Sequence, residues 1–579
     1  MLSNLPEHIR DRVYLSLVLV AGILRFINLD FLDLQAWDES LYAVRAIGIL
    51  KFGGWLDQSS FAVDGLYSSL HPPLHVWTTA VAFKLVGISE FSARCVSAVA
   101  GILTLVLVYR IGKKLAASEV GLLAALLVGL NPFVSFFARQ GQFDATLVFF
   151  LTAAVYVLIE KNNQHSLSNA MLAGLAVGAA LMTKLYVGFG IPLAYALSIF
   201  FIPKDNRSQE WKHLGRLTLV AILIAAPWHM YMTVMHGNGD LFFIFKASAL
   251  WERSFSGIEG NIKPLEVFYF INQLFVLFPA GVLWFAYGFW NLIREKNREW
   301  MILVCWFAVF FVIFSLVRTK LAVYILPMLV PCAFIAAREM WKAVSGEMPR
   351  KILTVLTGGT LFSVLWSSNQ SWRNGIKELI LMRVDASLIF SLLPFFGLAL
   401  LVFGVTYYCT EPSRISWLRK SLFSIVVVPS FLLSLYYFAI VDTTQYKDGG
   451  KELADFINEN GIEQILVAGY ERNPQLSYYL DGADIGWRED VRFRRIIPPK
   501  DSSQFRIWLI NETTFEPATA LLVIEKDKFI RYNIIDPIQV VPSDYGLVLE
   551  TRRYACFQKM ELVRFAQVEQ DVFLQQSRQ

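Results

Sequence analysis

Charge is scarce in this sequence. Only 17% of its 579 residues are Asp, Glu, Lys or Arg, against 55% hydrophobic, and a water-soluble domain carries nearer ~25% charged residues. The charge that exists nearly cancels, to +5. The basic residues stand in short loops between apolar runs, a pattern that orients a membrane protein and argues against nucleic acid as a partner. Cysteine is sparse as well. Cys95, Cys305 and Cys332 fall inside apolar segments, Cys409 ends one, and Cys556 lies near the C-terminus. No Cys-x-x-Cys or Cys/His ligand spacing occurs, which argues against a disulfide framework and a zinc site. The first apolar run lacks a small-residue cleavage site and reads as a retained helix. There is no internal repeat.

What the sequence does have is length in its apolar runs. Runs of about 20 residues, enough to cross ~30 Å of hydrocarbon, lie near 12–29, 91–112, 119–137, 142–160, 168–184, 186–202, 215–236, 264–293, 299–317, 320–340, 351–367, 387–408 and 418–440. The segment 74–87 is short, follows His71-Pro72-Pro73 and is interrupted by Lys84, so it reads as a helix lying in the interface. About thirteen transmembrane helices put the two termini on opposite sides. Loops assigned to the cytoplasm carry basic clusters: Arg10 and Arg12; Arg110, Lys113 and Lys114; Lys204, Arg207, Lys212 and Arg216; Arg294, Lys296 and Arg298; Arg338, Lys342, Arg350 and Lys351; Arg414, Arg419 and Lys420. The chain is therefore expected to be N-in and tail-out in a bacterial inner or plasma membrane.

Composition changes near residue 442. KELADFINENG reads as an amphipathic helix ended by Gly461. IEQILVAGY, TALLVIEK and YGLVLETRR read as strands, and PQLSYYLDG as a second short helix. The expected organisation is an α-helical polytopic membrane domain over 1–441 and a small soluble α/β domain over 442–579, on the non-cytoplasmic side.

The ionisable residues gather at one face. The first outer loop holds Trp37-Asp38-Glu39-Ser40-Leu41-Tyr42-Ala43. A helix starting here puts Asp38 and Tyr42 one turn apart. Such a carboxylate can act as a general base, bind a metal or bind a cationic head group; the structural alternative is that Asp38 caps a helix and Glu39 fills its first turn. His71 precedes two prolines and can bind an anion, relay a proton or ligate a metal, or simply stand at the surface. Asp144 follows Arg139 at the entry of a span. It either pairs with that arginine, caps the helix, or joins Asp38 in one acidic pocket. Lys184, Trp251-Glu252-Arg253, Arg318, Lys320 and Tyr324 complete the outer set; singly, such cations snorkel or contact lipid head groups. The middles of the spans are almost free of charge, unlike an ion-coupled transporter. Cations that hold a phosphate, and carboxylates that activate an acceptor, suit an enzyme whose substrate has a membrane-bound tail.

In order along the chain stand WDExxYA, HPPL, FSARCVSAVAGILTLVLVYRIGKKL, ARxxxxDA, MTKLYVG and KLAVYILP. This series resembles the GT-C superfamily of integral-membrane glycosyltransferases, nearest the branch of protein O-mannosyltransferases and the bacterial aminoarabinose–lipid A transferase. The likeness runs over about 1–345. It implies a polyprenyl-phosphate sugar donor, an inverting transfer and a site in the outer loops. Asp38 matches the family's first-loop catalytic aspartate and Asp144 its second outer-loop acid. Lys184, Lys320 and Tyr324 match positions lining the donor cavity. The aminoarabinose enzymes carry Glu-Lys before the proline where this chain has Leu70-His71, which leaves sugar and acceptor open. The extra luminal module of the eukaryotic mannosyltransferases is absent.

The expected function is transfer of a sugar (hexosyl or pentosyl) from a polyprenyl-phosphate donor to a lipid, glycan or protein acceptor on the non-cytoplasmic face, for example in lipopolysaccharide or cell-envelope glycan modification. Asp38, Asp144 and Glu39 are the catalytic candidates. Tyr42, His71, Arg139, Lys184, Arg253, Lys320 and Tyr324 are the substrate-binding ones. No cofactor is required by the pattern; a divalent cation, if used, has Asp38, Asp144 and His71 as candidate ligands. A transporter or flippase of lipid-linked substrates is the alternative, and an inert scaffold displaying the tail a third. The topology has a direct check: a reporter fused after Gln579 is expected to be active on the non-cytoplasmic side, and cytoplasmic activity would mean a miscounted span, first of all at 74–87.

Overall fold

The computed structural model describes residues 6–159, 165–240, 242–248, 251–257, 267–349, 351–360, 363, 449–468, 473–496, 509, 513, 519–526 and 541–560. The expected spans 387–408 and 418–440, residues 361–362 and 364–367 of the run 351–367, and the basic residues Arg350, Arg414, Arg419 and Lys420 lie outside the described residues, as does Cys409.

The helices run in chain order as α1 (Glu7–Ile23), α2 (Asp38–Phe52), α3 (Leu74–Val86), α4 (Glu90–Leu115), α5 (Ser118–Gly129) and α6 (Pro132–Phe137). Then come α7 (Phe143–Ile159), α8 (Leu167–Leu181), α9 (Gly190–Ile199) and α10 (Lys204–His236). α11 (Val267–Leu277), α12 (Val282–Glu295), α13 (Arg298–Leu316) and α14 (Leu326–Ser345) follow. Two short helices, α15 (Gly450–Glu459) and α16 (Pro474–Tyr479), belong to the C-terminal part. By length and composition, four helical stretches among the described residues can cross a membrane: Glu90–Leu115, Lys204–His236, Glu299–Leu316 and Ala322–Ser345. The other apolar helices are shorter, α3 among them.

Two expected spans are each broken in two. The run 119–137 stops at Gly129 and restarts at Pro132, because proline disfavours helix in the residue before it and is suited to a first helical position. Asn131 caps the restart by accepting from Val134 N–H at 3.1 Å. The run 264–293 stops at Leu277 and restarts at Val282, across Pro279. The two breaks meet: Asn131 Nδ2 donates to the Leu277 carbonyl at 2.6 Å, satisfying a backbone acceptor that a broken helix leaves open.

The described residues pack as two units. The first contains 6–27, 70–75 and 94–363. Its centre is α14, buried almost throughout, which packs on α5, α12 and α13. α8 lies between α7 and α10, and α9 packs on α13. Charged groups stand at helix ends and are paired. Asp11 accepts from Tyr109 at 3.0 Å and Ser118 at 2.6 Å, and also from Lys113. Buried Glu339 accepts from Arg338 at 2.7 Å and Lys342 at 3.2 Å. Buried Glu210 accepts from Tyr195 at 2.5 Å.

The second unit contains 28–69, 76–93 and the described residues from 449 on. The first-loop segments thus group with the C-terminal residues and not with the helices on either side, a finding that a single boundary at 441/442 does not express. Its sheet has five strands: β1 (Gln464–Ala468), β2 (Arg492–Ile496), β3 (Leu521–Glu525), β4 (Tyr545–Glu550) and β5 (Tyr554–Lys559). The order is β2-β1-β3-β5-β4, with β1 parallel to β2 and β3, and β5 antiparallel to β3 and β4. Strand alternation divides the core. Ile465, Val467, Leu521 and Val523 join Leu453 and Leu476 on one face, while Leu466, Leu522 and Ile524 join Tyr545 and Phe557 on the other.

A close approach in the first unit gives a stability prediction. A Cβ on Gly121 would lie 2.3 Å from the Tyr109 carbonyl oxygen, where backbone cannot yield. Gly121→Val is expected to lower stability by at least ~1–3 kcal/mol, read as a lower melting temperature in detergent. Gly215→Ala, with nothing within 4 Å of its Cβ, is the control and is expected not to fall.

Candidate active site

In the first unit the site begins with three segments tied by backbone and side-chain bonds. Leu74 N–H donates to the Met182 carbonyl at 3.0 Å, which brings the His71-Pro72-Pro73 stretch to the turn after α8. His75, buried, shares a hydrogen bond between its Nδ1 and Thr146 Oγ1 at 3.1 Å. The His71 ring stands edge-on to Phe143 at 6.2 Å. Residues 71–75, 143–146 and 182–184 therefore converge.

At this junction Lys184 Nζ lies 2.9 Å from Asp144 Oδ1, their side chains 22% and 9% exposed. The pair forms because Asp144 occupies the first turn of α7, where helix amides favour an anion, while Lys184 leaves the end of α8 in extended conformation before a 3-10 turn (Leu185–Phe189). The ammonium also sits over two aromatic faces, 4.6 Å from the Phe143 centroid and 5.5 Å from Tyr324. Tyr324 stacks on Phe314 at 4.9 Å. Asp144, Lys184, Tyr324 and Phe314 line a small cleft whose other walls include Leu147 and Val148. Chemically this is one mobile cation and one carboxylate on an apolar floor, suited to a phosphate carried on a hydrocarbon tail.

Two further first-unit candidates, Arg139 and Lys320, serve backbone. Arg139 Nη1 donates to the carbonyls of Arg25 at 2.9 Å and Ile27 at 2.6 Å, closing the chain end that follows α1. Lys320, expected along the donor cavity, is buried and turned into the end of α13. Its ammonium donates to the carbonyls of Phe314 at 3.2 Å and Ser315 at 2.8 Å, and to that of Val317. Three carbonyls match the three donors of an ammonium at a helix end that lacks internal partners, so among the described residues Lys184 is the cation that faces the cleft. Arg253, half-buried, lies on a segment (Glu252–Ser256) held beside 318–319, with its carbonyl accepting from Thr319 N–H at 3.0 Å.

In the second unit, Asp38 is exposed at the first residue of α2. Glu39, expected as a further catalytic acid, is fully buried and accepts from Gln35 N–H at 2.7 Å; it completes its own helix start, and this removes the case for it as a proton acceptor. Tyr42, also buried, lies one turn beyond Asp38 with the Arg45 guanidinium 6.0 Å from its ring. Arg45 went unnoticed in the sequence. It donates to Gln58 Oε1 at 2.6 Å and the Ser68 carbonyl at 2.9 Å, fastening α2 to the rest of the loop, and burial pulls its guanidinium down to about 10. His75 was missed too; its spacing of four from His71 was the available signal. Among the described residues, no three His, Cys, Asp or Glu side chains are placed to hold a metal ion.

Residues 70–231, the stretch that builds this junction, match the family described as dolichyl-phosphate-mannose-protein mannosyltransferase. An uncharacterised Aquifex aeolicus protein is 25% identical over 504 residues, covering 85% of this chain and 91% of that one. The undecaprenyl phosphate-alpha-4-amino-4-deoxy-L-arabinose arabinosyl transferase of Pectobacterium atrosepticum is 26% identical over 345 residues, which is 58% of this chain and 59% of that enzyme. In fold, the chain is similar to ArnT from Cupriavidus metallidurans bound to undecaprenyl phosphate, with a TM-score of 0.64 at 17% identity over 94% of this chain and 97% of that one. It is also similar to the Archaeoglobus fulgidus oligosaccharyltransferase in the apo form, at 0.54 and 12% identity over 93% and 73%. The chain is thus similar in sequence to these transferases over part of its length and shares the fold of ArnT and of the oligosaccharyltransferase, and it is a multi-pass membrane protein.

The ion pair carries its own prediction. Lys184→Met strands the Asp144 carboxylate in a largely apolar cleft. The expected loss lies at the low end of the ~3–5 kcal/mol typical of broken buried pairs, because Lys184 keeps some solvent. Thermal melting in detergent reads it, and Lys184→Met combined with Asp144→Leu is expected to recover most of the loss.

Proposed function

We propose that this protein transfers a sugar from a polyprenyl-phosphate carrier to an acceptor hydroxyl or amine on the non-cytoplasmic face of the membrane. The observation that carries the reading is the Asp144–Lys184–Tyr324 cleft, which combines a cation, its carboxylate partner and an apolar floor. Undecaprenyl phosphate bound to the similarly folded ArnT, and the arabinosyl transferase relative, support a polyprenyl-phosphate donor. Among the described residues, charged side chains of the first unit such as Asp11 and Glu339 pair at helix ends, an arrangement that does not favour the transporter or flippase reading.

The reaction follows from the roles of these residues. Lys184 exchanges part of its contact with Asp144 for the donor phosphate, and Asp144 keeps the ammonium aimed at it. Asp38, an exposed carboxylate at a helix start, takes the proton of the acceptor. The acceptor atom bonds to the anomeric carbon as the bond from that carbon to the phosphate oxygen breaks. The phosphate leaves with the electron pair, its growing charge met by Lys184, and a single displacement inverts the anomeric centre. His71 lies beside the cleft as a further contact for donor or acceptor, with Arg253 on the loop segment next to 318–319. Leu70-His71 in place of Glu-Lys leaves the sugar and the acceptor open. About thirteen spans, N-in and tail-out, place Asp38 and the C-terminal domain outside the cytoplasm.

Asp38→Asn decides the assignment. Asparagine keeps the size and the hydrogen-bonding carbonyl at this first helical position, so a structural residue would tolerate it. Loss of the base is expected to cut turnover by ~10²–10⁴, while the protein inserts, melts normally and binds undecaprenyl phosphate as before. Asp144→Asn is expected to be severe as well. Wild-type transfer rates in a well-expressed Asp38→Asn protein, assayed by release of undecaprenyl phosphate from its sugar-linked form, would sink the role given to this loop.

A further inference from the structure

A buried polar chain in the second unit has no part in the reaction above. It starts at the C-terminal end of β3, where Glu525 accepts from Asn473 Nδ2 at 2.6 Å. The same nitrogen reaches the Tyr554 hydroxyl at 2.7 Å, and that hydroxyl donates to Gln475 Oε1 at 3.1 Å. Gln475 Nε2 then donates to the backbone carbonyl of Leu34 at 2.6 Å. All four side chains are buried. This edge of a parallel β1–β3 pair is where open α/β sheets commonly hold a ligand; here its polar groups lead to the chain's own first loop.

The other side of Leu34 is held as well. Its N–H donates to the Tyr479 hydroxyl at 2.9 Å, and that hydroxyl donates to Glu90 at 3.2 Å. Burial, with Glu90 and Asp33 nearby, pushes the Tyr479 phenol far above its ordinary value, so it stays a donor. One residue earlier, Asp33 accepts from Gly449 N–H at 3.0 Å. One residue later the restraint passes into α2. Gln35 N–H donates to Glu39, and its carbonyl accepts from Ser40 Oγ at 2.6 Å. Asp38 stands between those two bonds, and α2 packs on α16, the helix that carries Gln475 and Tyr479.

We infer that the C-terminal α/β domain is a clamp for the catalytic loop, in which Gln475 and Tyr479 are positioning residues that grip both backbone groups of Leu34 and so set the direction of Asp38. The inference rests on Asp38 being the base. A base misplaced by an ångström loses much of its effect, and a loop of this length does not hold such precision without support from a second set of bonds.

The test uses Gln475→Leu and Tyr479→Phe in the full chain, reconstituted in detergent. Amide hydrogen exchange over residues 34–41 is expected to quicken about tenfold or more. Turnover is expected to fall about tenfold, with KM for the polyprenyl-phosphate sugar within about twofold, since the donor cation lies elsewhere. Arg488→Ala removes a surface contact to Asp490 and Asn458 in the same domain and is expected to change neither. A domain that serves only stability would lower the melting temperature of the variants without splitting kcat from KM. Unchanged exchange, or unchanged kcat beside an active wild type, would overturn the clamp alone. A wild type that consumes no polyprenyl-phosphate sugar would overturn the glycosyltransferase reading and, with it, the catalytic meaning of the clamp.

Discussion

Hydrocarbon tolerates neither bare charge nor bare backbone, and the first unit is built around that constraint. Its ionisable side chains lie at helix ends and meet partners there: Asp11 with Lys113, Glu339 with Arg338 and Lys342, Asp144 with Lys184. Where helices break, at Asn131 and at Leu277, one side chain joins the loose backbone of both. Lys320 obeys the same rule, closing the carbonyls at the end of α13. Among the described residues, cations that look alike along the sequence thus differ in what they meet: Arg139 and Lys320 satisfy backbone, and Lys184 faces the cleft.

That division gives the cleft its chemistry. Asp144 stands beside the Lys184 ammonium, and the faces of Phe143 and Tyr324 offer further electrostatic support. A phosphate entering the cleft meets a cation already stripped of most water. The apolar walls that make bare charge costly also suit a prenyl tail. On the proposed reading, the pair is both a constraint on folding and an anchor for a lipid phosphate.

The second unit applies the opposite logic. Its sheet has an ordinary apolar core on both faces, yet it buries a line of Asn, Tyr and Gln side chains that ends on Leu34. Fully paired polar groups of this kind specify one geometry at the expense of tolerance, and the geometry specified here is that of the loop bearing Asp38.

Much of this could be read along the chain. Apolar length and basic loops announced a polytopic membrane protein, and the motif series announced its likeness to integral-membrane glycosyltransferases. KELADFINENG, IEQILVAGY and TALLVIEK became a helix and two strands close to where their patterns put them. RFRRI did not look like a strand, because an edge strand may carry charge, and YACFQK was hidden by its neighbour, to which it pairs in a hairpin. Asp144 and Lys184 were named from the sequence, but as separate residues 40 apart; only packing of α7 beside the end of α8 made them a pair. Glu39 and Lys320 went the other way, since a residue type shows what a side chain can donate or accept but not which group it will face. Periodicity and composition are local, and they determined the membrane, the elements and the candidate chemistry. Which cation met the cleft, and which tail side chains held Leu34, depended on contacts between residues up to hundreds of positions apart, and those the tertiary structure alone decided.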